Sequence, residues 1–378
     1  MDDSWLVLPL PEVLEFQEGP GIMARDFRES GVPLIRLAGI KRRARLLDGC
    51  DFLDPEMVAR RWNHFRLQRD DVLLSTSASL GEVAQVDETG IDAIAYTGII
   101  RFRPKDERVR PDFIRHALVA PSFKRQVEAM GVGSVIKHFG PTHLRQMTIT
   151  VPPLLEQQGI AEVLGALDDK IGLNERIAET ALALGRSVFR RETQVAGNET
   201  MLGDLAELVY GKALPAPLRR PGGVPVFGCT GQVGFHDTAL THSAHPVVGR
   251  KGANAGCVSW LPEPGWVIDT AFYAVPKLKE VTNQVLYFVL DAAGISTLTA
   301  DSAVPGVNRG VALRHRTRAP ELRRLEEMAP LAAAFLATCQ QTATENRTLA
   351  DLRDTLLPQL ITGKIRVKDA TRVVEEAV

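Results

Sequence analysis

Apolar residues recur at alternating three- and four-residue spacings in a stretch that begins after Pro153. Such spacing is typical of a helix that pairs with another helix along one apolar face. Asn174 falls in the same row, where a polar residue lowers stability but can fix the register of pairing. The stretch predicts a spacer helix over residues 154–192. The row consists of Ile160, Leu164, Leu167, Ile171, Asn174, Ala178, Ala181 and Val188, with Leu184 beside them.

A second stretch, residues 320–358, repeats this pattern with a weaker middle. Polar residues stand between its two apolar ends, and Pro358 allows the helix to end. The pattern predicts a second spacer helix over 320–358 and a tail over 359–378. The apolar ends are Met328, Leu331 and Phe335, then Leu349, Leu352 and Leu356, and the polar middle is Thr338, Thr342 and Glu345.

The length of these helices constrains their packing. A helix over 154–192 is about 58 Å long at roughly 1.5 Å per residue, too long to be buried inside one domain of this chain. We therefore predict two long antiparallel coiled-coil helices that hold two globular domains apart. The alternative is that each helix packs locally on its own domain, as amphipathic helices usually do.

The rest of the chain consists of short strand-like runs broken by Gly and Pro, and it contains an internal repeat. The segment 31–35, Gly-Val-Pro-Leu-Ile, returns 192 residues later as Gly-Val-Pro-Val-Phe at 223–227. The segment 134–136, Ser-Val-Ile, returns 168 residues later as Ser-Ala-Val at 302–304. The first leads to Val-Pro-Pro at 151–153 and the second to Arg-Ala-Pro at 318–320. Strand-like runs at 71–75, 95–102, 246–249 and 266–273 precede helix-like runs at 112–130 and 282–293. We predict an α+β chain with two tandem mixed α/β domains, 1–153 and 200–319.

Composition agrees with a globular protein of at least two units. The 378 residues are 45% hydrophobic and 24% charged, and no apolar run approaches the roughly 20 residues of a membrane span. Asp2 and Asp3 stand where a secretory signal would carry basic residues, so we expect a cytoplasmic location. The net charge is −1, and only residues 201–320 carry a basic excess, 11 Lys and Arg against 8 Asp and Glu.

Motifs for metal binding and catalysis are weak. The spacings of Cys229, His236, His242, His245 and Cys257 match no common zinc pattern, so we expect no metal. No Asn-Pro-Pro-aromatic methyltransferase motif occurs, and the Gly-rich segment 249–256 lacks the Gly-Lys-Ser/Thr order of a P-loop. We interpret that segment as a turn between strands and expect no catalytic residue.

The two junctions and helices carry a family resemblance over essentially the whole chain. The first junction, 152–161, reads Pro-Pro-Leu-Leu-Glu-Gln-Gln-Gly-Ile-Ala, and it is followed by Leu-Asp-Asp-Lys-Ile at 167–171 and by Asn174. Near the end stand Leu-Arg-Asp-Thr-Leu-Leu-Pro-Gln-Leu at 352–360 and Gly-Lys-Ile at 363–365. Together they resemble the specificity subunits of Type I restriction-modification enzymes. The second junction, 318–325, lacks the Glu-Gln pair, so contacts with a partner are expected to differ there.

The resemblance implies a non-catalytic, cytoplasmic DNA-recognition subunit. Its two target-recognition domains would each read half of a split site in double-stranded DNA. The helices would set the spacing and dock methyltransferase subunits, two in number, and restriction translocase/endonuclease subunits would join them. The family's cofactors, S-adenosylmethionine, Mg²⁺ and ATP, are expected in those partners and none in this chain, with no membrane partner.

Candidate DNA-binding residues are Lys and Arg near Gly or aromatic residues on predicted loops. Most would contact phosphates, while Asn254 or Gln232 could read adenine and Arg250 could read guanine. The candidates are Lys41, Arg42, Arg43, Arg101, Arg103 and Lys137 in the first domain, and Lys212, Arg219, Arg220, Gln232, Arg250, Lys251, Asn254 and Arg309 in the second.

Two other classes of function remain open from the residues alone. One is a coiled-coil adaptor that binds proteins and no specific DNA sequence, which would suit the acidic helices but would leave the repeated domains unexplained. The other is a divergent nuclease or methyltransferase, which would turn over substrate as an isolated chain.

Overall fold

A computed structural model describes residues 5–41, 45–76, 81–129, 139–299 and 305–377. The chain divides into two compact units. Unit 1 comprises Met1–Gly172 and Arg347–Val378, and unit 2 comprises Leu173–Asn346. The division falls within both predicted spacer helices, so each unit contains one globular part and a portion of each long helix.

Unit 1 begins with short strands and helices. Its strands are β1 (Leu6–Pro9), β2 (Leu14–Glu18), β3 (Phe27–Arg28), β4 (Val32–Ile35), β5 (Asp51–Leu53), β6 (Val72–Ser75), β7 (Val83–Gln85), β8 (Ile94–Ala95), β9 (Ile99–Pro104) and β10 (Thr148–Val151). Its helices are α1 (Leu10–Val13), α2 (Leu37–Ile40), α3 (Pro55–Met57), α4 (Pro111–Val119), α5 (Pro121–Ala129) and α6 (Pro141–Leu144). A π-helical turn spans Val58–Trp62, and 3-10 turns span Ala24–Asp26, Asn63–Phe65 and Glu88–Gly90.

Helix α7 (Leu154–Ala196) continues the chain into unit 2. Unit 2 contains strands β11 (Gly197–Met201), β12 (Ala206–Tyr210), β13 (Val224–Gly228), β14 (Gly231–His236), β15 (His245–Gly249), β16 (Val258–Leu261), β17 (Trp266–Val267), β18 (Ala271–Pro276) and β19 (Arg316–Pro320). Its helices are α8 (Leu202–Leu205), α9 (Asn283–Ala292) and α10 (Arg309–Arg314), with 3-10 turns at Ala216–Leu218 and Ile295–Leu298. Helix α11 (Leu322–Ile361) returns the chain to unit 1, where α12 (Val367–Ala377) follows.

The two globular parts share one topology. In unit 1 the strand order β2-β9-β6-β7 is matched by β12-β18-β15-β16 in unit 2, and every neighbouring pair is antiparallel. Strand β4 pairs antiparallel with β5 and parallel with β8, as β13 pairs with β14 and β17. A two-stranded ladder, β1-β10 or β11-β19, completes each part. The internal repeat is therefore confirmed, since β4 and β13 start at the two Gly-Val-Pro segments.

In unit 1, the start of α7 and the end of α11 bury their apolar faces together with the globular core. Ile160, Leu164, Leu167 and Ile171 are at most 5% exposed. They share one cluster with Leu349, Leu356, Leu357, Leu360 and Ile361, and Leu352 packs partly buried against it. The carboxylate of Asp168 accepts hydrogen bonds from Arg115 of α4 and Arg353 of α11, both at 2.8 Å. This carboxylate joins both helices to the globular part.

In unit 2, a polar layer and an aromatic core hold the rest of the helix pair. Asn174 is 1% exposed, and its Nδ2 donates to Glu345 Oε2 and Asn346 Oδ1, each at 2.9 Å. Met328 and Phe335 are buried in the cluster that includes α9. The Phe189 ring of α7 stacks on Phe288 of α9, with centroids 4.6 Å apart. The mixed fold with long helices is thus confirmed, and the helices pack on the globular parts as well as on each other.

The details of α11 correct three expectations. Leu331 is 41% exposed, because the buried row runs through Met328, Ala332 and Phe335 and leaves Leu331 on the outer face. Pro358 does not end the helix, which continues to Ile361, because a proline in the last turns removes a single backbone donor. The segment predicted as a tail contains α12. No described helix has the length and apolarity that a membrane span requires.

Candidate nucleic-acid interface

Basic and aromatic residues of unit 2 meet at one end of its four-stranded sheet. Strands β12 and β15 both run antiparallel to β18, so their last residues, Tyr210 and Gly249, lie at the end where β18 begins. Tyr210 is opposite Phe272, and Gly249 is opposite Ala271. The residues that follow these strands therefore emerge side by side. We call Tyr210, Lys212, Arg250, Lys251 and Arg309 the basic sheet end.

Two guanidinium groups flank the ring of Tyr210. The Cζ atom of Arg250 lies 5.0 Å from the ring centroid and that of Arg309 lies 5.7 Å from it, within the range of cation–π attraction. Arg250 Nη1 donates to the Asp269 carbonyl at 2.9 Å, and Arg309 Nε donates to the Leu208 carbonyl at 2.5 Å. Carbonyl oxygens carry no net charge, so these bonds fix the orientation of the cations without neutralising them. Within the described residues, Arg309 alone of the two also meets a carboxylate, that of Glu207 at 3.2 Å.

The loop after β15 is held in one conformation by backbone hydrogen bonds. The amide of Arg250 donates to the Thr270 carbonyl at 2.8 Å, and that of Gly252 donates to the Pro305 carbonyl at 3.0 Å. Gly256 has φ +80°, and a Cβ there would come within 2.4 Å of the Ser296 Cα, so glycine is required. The segment 249–256 does connect two strands, β15 and β16, as predicted. Within this segment, the side chains of Lys251 and Asn254 are exposed.

Cys229 lies beneath this loop. The backbone amides of Asn254 and Lys251 donate to its sulfur, which lowers the pKa of the thiol, but burial raises the pKa more strongly. A Cβ added to Gly249 would lie 2.9 Å from that sulfur, so the thiol fills the space under the turn. Cys229 therefore supports the loop, and among the described residues no cluster of three His, Cys, Asp or Glu could hold a metal ion.

The remaining candidates of unit 2 lie on or beside the sheet of β13, β14 and β17. Gln232 is exposed on β14. Arg219 Nη1 donates to the Val233 carbonyl at 2.6 Å and so braces β14. Arg220 forms an ion pair with Asp237 at 2.5 Å, and this contact lowers the pKa of Asp237 to about 2. The structure does not bring these residues into the contacts around Tyr210.

The candidates of unit 1 are distributed differently. Lys41 is exposed, while Arg42, Arg43 and Lys137 lie outside the described residues. We predicted Arg101 and Arg103 as DNA contacts on a loop, although the predicted strand-like run 95–102 already included Arg101. Both lie within β9. Alternation along β9 buries Ile100 and Phe102 in one core, and the face that carries the two arginines is covered as well.

The side chains of Arg101 and Arg103 are therefore buried to different extents. Arg101 is 8% exposed, its Nε has no hydrogen-bond partner among the described residues, and burial lowers the pKa of its guanidinium. Arg103 binds the buried carboxylate of Asp71 through two hydrogen bonds of 2.7 Å. Strand alternation was the signal in the sequence that could have placed both on a sheet.

The equivalent sheet end of unit 1 has another chemistry. Strand β2 is equivalent to β12, so Glu18 at its end corresponds to Tyr210. Strand β6 is equivalent to β15, so Thr76, which follows β6, corresponds to Arg250. Glu18 Oε1 accepts a hydrogen bond from the Gly98 amide at 3.2 Å. The two units therefore present unlike groups at the same place of one topology.

Sequence reasoning missed the aromatic partners of the arginines. Tyr210 is 49% exposed at the end of a strand and directly precedes Gly211-Lys212, which was a usable signal. In unit 1, Arg36 Cζ lies 4.1 Å from the ring centroid of Tyr96, and its Nη1 binds Asp51 at 3.0 Å. Tyr96 is distant from Arg36 in sequence, so only the parallel pairing of β4 with β8 brings them together.

Gln157 of the first junction is a structural residue. It is fully buried, its Nε2 donates to the carbonyls of Pro152 at 2.7 Å and Arg108 at 2.8 Å, and its Oε1 accepts from the Arg110 amide at 2.9 Å. At the second junction the corresponding residue is Leu325, also fully buried. The glutamine of the missing Glu-Gln pair is thus replaced by a buried apolar residue, while the glutamate position holds Arg324, which pairs with Glu192 at 2.9 Å.

Comparison with known proteins shows which family the first part of the chain resembles. Residues 3–182 match the family model of the Type I restriction modification DNA specificity domain. The matched segment is slightly less than half of the chain, and over it the chain is similar to that family. It covers the globular part of unit 1 and the start of α7, and unit 2 repeats its topology. The resemblance drawn from the sequence is confirmed.

Curated relatives agree with this assignment. This chain is 24% identical to the Type I restriction enzyme MjaVIII specificity subunit of Methanocaldococcus jannaschii over 184 residues, which are 47% of this chain and 42% of that relative. Over 167 residues, 44% of this chain and 32% of the relative, it is 22% identical to the Type I restriction enzyme EcoBI specificity subunit of Escherichia coli. These matches span less than half of either relative.

A solved structure extends the likeness in fold to the whole chain. The crystal structure of the Type I restriction-modification system S subunit from M. genitalium superposes with a TM-score of 0.60 at 16% identity, covering 95% of this chain and 97% of the other. The arrangement of specificity domain, long helices and repeated second domain is therefore a known fold.

Proposed function

We propose that this chain is the DNA specificity subunit of a Type I restriction-modification complex and that its two units each read one half of a split target. The observation that carries the proposal is the duplicated topology, one copy of which is a specificity domain. Two copies of one reader in a single chain suit a DNA target with two recognised parts. The adaptor alternative is not favoured, because a protein-only function leaves the specificity domain unexplained.

The basic sheet end is the proposed DNA contact of unit 2. Lys212 and Lys251 are exposed and suit phosphate oxygens, which position a protein without reading sequence. Arg250 is held by a carbonyl and by Tyr210, and a guanidinium fixed in this way can donate two parallel hydrogen bonds to guanine. Asn254, exposed on the same loop, has the amide geometry that reads adenine.

The catalytic steps belong, in this proposal, to other subunits. Two methyltransferase subunits would modify adenine with S-adenosylmethionine, and restriction subunits would use Mg²⁺ and ATP, while this chain supplies the address and contributes no catalytic residue. The complex would act in the cytoplasm, where it meets the cell's double-stranded DNA.

The experiment that tests this function is a map of modified bases. The chain is co-expressed with the methyltransferase subunit encoded beside it, and methylated positions in the host DNA are read by long-read sequencing. A motif of two fixed halves, absent when this chain is omitted, is the expected result. A stable complex that methylates no split motif would contradict the proposal.

A further inference from the structure

An apolar groove lies at the first junction, on the surface of unit 1. It has a volume of about 790 Å³ and is lined by the ladder β1-β10, the segment 106–108 and the start of α7. Leu6 is 52% exposed and Leu154 is 48% exposed, and next to the groove Leu155 is 84% exposed. Large apolar side chains grouped at this level of exposure commonly mark an interaction site.

The second junction shows that the fold itself does not require this apolar surface. Leu6 pairs with Val151 in the first ladder, and Asn198 pairs with Ala319 at the same place in the second. Helices α7 and α11 then start at Leu154 and Leu322, so Leu155 corresponds to Arg323. Val7 and Leu8 likewise correspond to Glu199 and Thr200. At these four places the second junction thus has polar side chains where unit 1 has apolar ones, whereas the counterpart of Leu154 is Leu322, which is 41% exposed.

The charges around the groove favour a different protein over a second copy of this chain. Asp106, Glu107 and Arg108 form its charged rim. The Arg108 guanidinium is bound by Asp106 and by Glu12, both at 2.9 Å, and these carboxylates raise the pKa of Arg108, so the rim keeps an acidic surplus. A symmetric dimer through the groove would bring two acidic rims together. An apolar segment flanked by Lys or Arg from another protein complements it.

We infer that this groove is the docking surface for one methyltransferase subunit, which inserts an apolar segment with basic flanks. The inference rests on the proposed function, which supplies the partner. It adds that the two junctions are unequal: the first binds through Leu6, Leu154 and Leu155. The corresponding residues of the second are Asn198, Leu322 and Arg323, of which Leu322 alone is apolar. One methyltransferase subunit therefore binds more tightly than the other.

The test exchanges the side chains of the two junctions. Leu6→Asn with Leu155→Arg gives unit 1 the residues of unit 2, and the matched control, Asn198→Ala with Arg323→Ala, alters the corresponding places in unit 2. All four side chains belong to surface positions of the junctions, and equal melting temperatures would verify folding. Binding of the purified methyltransferase subunit to the full chain is measured by calorimetry, and the mass of each complex by analytical ultracentrifugation.

We expect the unit 1 exchange to weaken the tighter binding at least about tenfold, because an exposed leucine that becomes buried is replaced by a charge. The control should leave the tighter binding unchanged. The inference would be overturned if the lower of the two dissociation constants of the unit 1 variant stayed within twofold of the wild-type value. It would also be overturned if the wild-type chain formed a dimer that the unit 1 exchange dissociates. Wild-type chain that does not bind the methyltransferase subunit at all would instead contradict the proposed function.

Discussion

Replacing Lys251 with alanine should change the salt dependence of DNA binding by an amount that the basic sheet end defines. Lys251 is exposed and forms no ion pair within the described part of the chain, whereas Arg309 shares its charge with Glu207. It is therefore the cleanest probe of the four cations at the sheet end, which are Lys212, Arg250, Lys251 and Arg309.

The magnitude follows from the number of cations. If Arg250 reads a base and the other three contact phosphates, those three contribute about 2.7 to the slope of log affinity against log salt, at about 0.9 for each contact. Between 50 and 200 mM salt this amounts to a loss of about 40-fold in affinity, and with one contact removed to about 12-fold. Lys251→Ala should thus reduce the slope by about 0.9.

The assay is fluorescence anisotropy of the assembled methyltransferase complex on target DNA at several salt concentrations. Lys279→Ala is the matched control, because Lys279 is 92% exposed and follows β18 at the opposite end of the same sheet. An unchanged slope for Lys251→Ala, or an equal reduction for Lys279→Ala, would refute the assignment of the sheet end to DNA.

Two further predictions concern unit 1. Leu167→Asp places a carboxylate where the side chain is 2% exposed, so the free energy of unfolding should fall by at least about 3 kcal/mol. The control Ala166→Asp, on the exposed face of the helix, should change it little. Urea unfolding of the full chain measures both variants, and equal effects would contradict the packing. His116 is buried, which lowers its pKa from 6.5 to about 3. Below pH 6.5 the unfolded chain takes up a proton that the folded chain does not, so stability should fall as pH falls, by up to about 1.4 kcal/mol per pH unit. His116→Gln should flatten this dependence between pH 6.5 and 5, and an unchanged slope would show that His116 is not its source.

The repeat and the long helices could be predicted because they depend on local patterns. Gly-Val-Pro segments start equivalent strands, and three-four apolar spacing marks a helix whatever it packs on. The ends of the helices were less accessible. Helix α11 passes Pro358, and Leu331 faces outward, because the partner surfaces decide which of two neighbouring apolar positions is buried.

The candidate site could be predicted only in part. Arg250, Lys251 and Arg309 were identified from residue type, and the structure places them together. Their common neighbour Tyr210 was missed, since it reaches them through the pairing of β12 with β18 and of β18 with β15, which no local pattern specifies. Arg101 shows the opposite error, because a basic residue near Gly and Phe can still be buried within a sheet.

The central claim, that the two units read separate halves of one target, is tested most directly by altering one unit and mapping the methylated motif. Arg250→Ala combined with Asn254→Ala, both in the loop after β15, is co-expressed with the methyltransferase subunit, with Lys279→Ala as the control. We predict that one half of the motif loses its sequence requirement while the other half and the spacing stay unchanged, and that the control keeps both halves. Loss of definition in both halves, or an unchanged motif with normal methylation, would contradict the account.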